Sequence, residues 1–135
     1  METITLNFLA VLVAGVVYMI LGALWYSPVL FGNSWMKNIG KTKEQVTADA
    51  SPINYLIALI LSFIAAYGIA RIMVWSGEKS IGNGIMIAIV VGVCFVFTSM
   101  GVNDTFENRP RSLMAMNILY HLVGFVIMGI IIGAW

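Results

Sequence analysis

The chain has 135 residues, 61% of them hydrophobic and 10% charged, with a net charge of +1, and its mean hydropathy is +0.97. A water-soluble domain of this length cannot bury so much apolar surface, so the composition points to an integral membrane protein. The seven Lys and Arg are scattered among six acids, which leaves no polybasic patch for nucleic acid, and the lone Cys94 allows neither an internal disulfide nor a thiolate metal cluster.

Four apolar stretches, at about residues 5–27, 53–75, 81–103 and 113–135, reach the roughly 20 residues that a helix needs to cross about 30 Å of hydrocarbon. None alternates with period two, so helices are expected rather than a barrel. The fold class is all-α: a polytopic membrane protein whose four transmembrane helices form a bundle, a single domain over residues 1–135 with an interfacial segment after the first helix. The first stretch opens METITLNF without a basic flank and runs too long for a signal-peptide core, so it reads as a retained anchor.

That first span closes on GALWYSPVLFGNSW. Trp25 and Tyr26 fall at headgroup level, where a ring with one polar edge belongs. Pro28 disfavours helical geometry at Ser27 and ends the span. Phe31, Gly32 and Trp35 then sit in a mixed stretch along the membrane surface, with Lys37 and Lys41 placed to meet anionic lipid heads. Further on, Thr42 and Gln45 have the spacing of a capping box, and Pro52 opens the second span.

Small residues recur every four positions at Ser62, Ala66 and Ala70, at Gly84, Ala88 and Gly92, and at Gly129 and Gly133. Without a hydrophobic drive between helices in lipid, such faces let backbones approach and gain dispersion contacts. Three helices carry them, more than one four-helix bundle obviously needs, so a homo-oligomer or a partner membrane protein is expected on the second or third helix.

Polar residues inside the spans must find a partner or a wet cavity. Asn117 is followed by Tyr120, His121 and Gly124 after three, four and seven residues, which puts all four on one face of the last helix. Asn54 opens the second helix and Asn103 closes the third, while Asp104 and Glu107 follow in the VNDTFENRPR turn. Together Asn54, Asn103, Asp104, Glu107, Asn117, Tyr120 and His121 are expected to form one polar pocket near the cytoplasmic side. The orientation comes from short-loop lysine and arginine: Lys37, Lys41, Lys43, Arg109 and Arg111 lie on one side, Arg71 and Lys79 on the other. Both termini are therefore expected outside.

The strings WYSPVLFGNSW, FENRP and NILY resemble the domain-of-unknown-function family 1761, small bacterial and fungal membrane proteins. The resemblance covers nearly the whole chain and implies four membrane helices with a longer first loop; the inner membrane of a bacterium is the expected location. It brings no substrate, reaction or catalytic residue.

No P-loop, dinucleotide glycine pattern, haem motif or CxxC occurs, and no cofactor or metal site is expected. One histidine and one cysteine on different helices do not specify a nucleophile and its base, so no catalytic residue is assigned. The favoured expectation is a non-enzymatic packing or assembly module, with the lipid bilayer and other membrane chains as its partners. The alternative is a small-solute or ion transporter with a cytoplasmic polar pocket, and an intramembrane enzyme ranks third.

Overall fold

In the computed structural model, which describes residues 3–135, every regular element is helical. In chain order these are α1 (Phe8–Trp25), α2 (Gly32–Ile39), α3 (Lys43–Asp49), α4 (Pro52–Ser76), α5 (Ile81–Val91), a π-helical turn (Gly92–Phe97), α6 (Thr98–Phe106) and α7 (Arg111–Ala134). The segment from α5 through α6 runs on as one rod, Ile81–Phe106, so four helices are long and apolar enough to cross a membrane. All four expected spans are present, with the largest shifts at the start of the first, from 5 to 8, and the end of the third, from 103 to 106.

Local chemistry sets the helix ends. The Asn7 side chain accepts from the Ala10 amide at 3.1 Å, satisfying one of the unpaired amides of the first turn. At α3 the capping box forms: the Gln45 amide donates to Thr42 Oγ1 at 3.2 Å and the Thr42 amide to Gln45 Oε1 at 2.9 Å. Gly40 and Gly77 close α2 and α4 with φ of 70° and 73°, a left-handed conformation in which a Cβ is strained.

The WYSPVLFG segment is a compact reversal. Backbone amides of Leu30 and Gly32 donate to the Ser27 carbonyl at 3.1 and 2.8 Å, and that of Phe31 to the Trp25 carbonyl at 2.9 Å. Pro28 has no amide hydrogen and loses nothing by sitting in this turn. A Cβ at Gly32 would strike the Tyr26–Ser27 backbone, so this close approach requires glycine. α2 and α3 then form a short arm that returns the chain to α4.

Among the spans, α7 is the hub, packed against α1, α4 and α5. Gly84 and Gly129 face each other so closely that a Cβ on either would overlap the other's carbonyl, and one on Gly133 would meet the Ser80 carbonyl. Gly92 makes room for Leu122 in the same way. On α4, Ser62, Ala66 and Ala70 are buried, and Ile69, Met73 and Met128 fill the centre. The small-residue faces are therefore closed inside the bundle, which corrects the expectation that they stand open for assembly. Four helices of about 10 Å diameter leave α7 with three neighbours, and each neighbour needs a small face to come close.

Candidate functional site

The polar face of α7 meets α1 along a seam built by reciprocal interlocking. Tyr18, Gly22, Trp25 and Tyr26 share one face of α1, and Asn117, Tyr120, His121 and Gly124 share one face of α7. Gly124 seats the Tyr18 ring, because a Cβ at 124 would overlap it, and Gly22 in turn seats the Tyr120 ring. The two tyrosines stack with ring centroids 4.8 Å apart and planes 9° from parallel.

Hydrogen bonds follow the interlock. One joins the Tyr18 hydroxyl to His121 Nδ1. The Tyr120 hydroxyl donates to the Tyr18 carbonyl at 3.1 Å, the Tyr26 hydroxyl to Asn117 Oδ1 at 2.8 Å, and the Trp25 indole N–H to the Met116 carbonyl at 3.1 Å. In hydrocarbon an unmatched polar group costs several kcal/mol by order of magnitude (~2–7), so this pairing is what makes Asn117 and His121 tolerable at depth. Both point at α1, not into lipid.

The interfacial motif divides accordingly. Trp25 is only 9% exposed, so a headgroup-belt role does not describe it: its indole turns inward because the Met116 carbonyl offers an acceptor there. Phe31 covers it at 4.8 Å between ring centroids, and Trp35 leans on Tyr26 at 5.3 Å. The Ser27 hydroxyl donates to the Leu24 carbonyl at 2.6 Å, finishing α1. Pro28 remains exposed.

Beside the seam lies a cavity of about 730 Å³. α1 and α4 touch tightly where the Phe63 ring covers Gly15 and diverge towards the end that the α2–α3 arm roofs. Met19 and Ala23 of α1, Ala58 and Ser62 of α4, and the Tyr26 and Tyr120 rings line its depth. Lys41, Asp49 and Asn54 line it from the arm side, with Lys41 Nζ paired to Asp49 Oδ2 at 2.5 Å.

The expected seven-residue pocket is thus divided. Asn54 and Tyr120 line the cavity, whereas Asn117 and His121 are engaged in the seam. Asn103 is exposed, and neither it nor Asp104 nor Glu107 lines the cavity. These three lie at the end of α6, which packs on the π turn and α7, so the expectation of one pocket fails there. Instead Arg109 ties that turn together, 2.7 Å from Glu107 and 3.5 Å from Asp104. The Glu107 hydrogen bond raises the Arg109 guanidinium above its ordinary range.

Sequence reasoning passed over Tyr18, the partner of His121, and the Lys41–Asp49 rim. Tyr18 had a legible signal: it precedes Gly22, Trp25 and Tyr26 by four, seven and eight residues, the same face-making spacing noted on α7. A family model whose description is a protein of unknown function, DUF1761, matches residues 9–133 and so takes in the whole seam and cavity. Comparison with curated proteins and with solved structures found no match.

Proposed function

We propose, taking as premise that the chain belongs to the DUF1761 family, that it is a non-enzymatic membrane module acting by binding and assembly. The observation that carries this reading is the α1–α7 seam. Its polar side chains are bonded to one another or to the facing backbone, so they are already occupied in locking two helices. The one hydroxyl set against a base, Tyr18 on His121, lies between the helices and does not line the cavity.

With the small-residue faces closed, a membrane partner would meet the outer sides of the spans, and the third span is the least covered of the four. Phe95 and Phe97 on it are 64% and 47% exposed. Extraction in mild detergent followed by light scattering is the test. A protein mass above one 14.8 kDa chain, or a co-purifying membrane protein, is expected, and oxidative cross-linking through the exposed Cys94 separates self-association from a foreign partner. A lone chain both in detergent and in nanodiscs overturns the proposal.

The cavity keeps the transport reading in view as one end of a pathway. Against it stands the packing beyond: Ile69, Met73, Met128 and Ile132 are buried where such a pathway would continue, and Gly84 touches Gly129 backbone to backbone. At the far end Thr5, Asn7 and Lys79 border only a cleft of about 10 Å³ against Met73 and Ile132, too small for a pathway.

The same proposal puts the α2–α3 arm in the cytoplasm of a bacterial cell, supported by the five-to-two basic bias. A cysteine replacing Ser51, with Cys94 changed to alanine, is expected to resist a membrane-impermeant thiol reagent in intact cells and to react after permeabilisation. Ready labelling in intact cells reverses the orientation.

A further inference from the structure

We propose that the cavity beneath the α2–α3 arm binds one zwitterionic phospholipid from the bilayer, with an acyl chain in its depth and the headgroup at the Lys41–Asp49 rim. Its volume of about 730 Å³ falls within the roughly 300–1,000 Å³ typical of small-ligand pockets. The distribution of free polar groups then decides the ligand class.

In the depth, every hydroxyl is committed elsewhere: Tyr26 donates to Asn117, Tyr120 to the Tyr18 carbonyl, and Ser62 to the Ala58 carbonyl at 2.7 Å. With their protons committed, those residues offer a ligand no donor, and Met19, Ala23 and Ala58 add only carbon. A polar solute would lose its hydration there without replacement. An aliphatic chain loses nothing.

At the rim the chemistry reverses. Lys41 and Asp49, one of each sign, are the charged residues of the lining, and their side chains are 46% and 60% exposed. An exposed pair of this kind is weak, so it opens readily. A phosphate then takes Lys41 and a headgroup cation takes Asp49, each charge exchanging one opposite partner for another. An anionic headgroup would satisfy Lys41 but face the Asp49 carboxylate unpaired.

Access is lateral. Tyr55, 59% exposed, and Ala58, also exposed, lie on the first turns of α4, leaving that flank of the cavity open to the hydrocarbon. From Asn54 to Ser62 the wall extends eight residues, about 12 Å at about 1.5 Å each, so a chain entering there runs along the helix with its head at the arm.

Native mass spectrometry of the purified full chain, incubated with phosphatidylethanolamine or with phosphatidylglycerol of identical acyl chains, tests the proposal. One retained phosphatidylethanolamine is expected, held about tenfold more tightly than phosphatidylglycerol. Ala58→Phe and Ala23→Phe fill the depth from opposite walls and should each reduce retention about tenfold. The double variant Lys41→Gln, Asp49→Asn lies on the exposed arm, so it keeps the fold; it should keep a lipid but lose the preference. Equal retention of both lipids by the wild type overturns the headgroup assignment. Retention unchanged in both folded cavity-filling variants overturns the site, and if neither variant folds, an undiminished preference in the arm variant does so.

Discussion

Gly129→Ala is expected to destroy the folded bundle, although it adds a single methyl group. That methyl would occupy the space of the Gly84 carbonyl, which is backbone on a neighbouring helix and cannot swing aside as a side chain would. Relief requires α7 and α5 to separate along their length, and with them the contacts of Gly133 on Ser80 and Gly92 on Leu122. Overpacking ordinarily costs about 1–3 kcal/mol; here the loss should exceed ~3 kcal/mol, because dispersion contacts along the whole α5–α7 interface weaken together. The measurement is the melting temperature and the folded yield in mild detergent. Gly68→Ala and Gly101→Ala serve as controls, since a Cβ at either meets nothing within 4 Å, and a helical glycine replaced by alanine gains up to about 1 kcal/mol. A Gly129→Ala protein that melts with the controls contradicts the backbone contact.

Loss of the Tyr18–His121 hydrogen bond should have the next largest effect. Tyr18→Phe strands the His121 ring nitrogen, and His121→Leu strands the Tyr18 hydroxyl; each leaves a part-buried polar group without its partner and should cost about 1–3 kcal/mol. Once the first partner is gone, removing the second restores an apolar match, so the double variant should be less damaged than the sum by about 0.5–2 kcal/mol. A double-mutant cycle on unfolding in mixed micelles measures this coupling. Simple additivity sinks the claim that the two side chains lock α1 to α7. Under the assembly reading His121→Leu changes stability and leaves partner binding per folded molecule as it was, whereas a histidine acting on a substrate would show the reverse.

Much of the architecture was already present in local chemistry. The four spans follow from runs of apolar residues, because a helix in hydrocarbon satisfies its backbone from within and needs no other element to define it. The α3 capping box, Pro52 in the first turn of α4 and the shared face of Asn117, Tyr120 and His121 were equally legible, each depending on residues within one or two helical turns. Tertiary structure alone decided which faces meet. A stripe such as Ser62, Ala66, Ala70 reads the same whether it seats a helix of its own chain or of another; here α4 and α5 turn their stripes inward, so the stripes mark the interior of this bundle. Asn103 and Asn117 carry the same side chain near the same end of their spans, yet one is exposed on α6 and the other bonded to Tyr26. The cavity is further still from the sequence: it exists because α1 and α4 diverge beyond the Gly15–Phe63 contact and a separate arm roofs the gap. Periodicity sets which residues share a face of one helix. The angle between two helices, and whatever space it leaves, depends on how side chains far apart in sequence fit together.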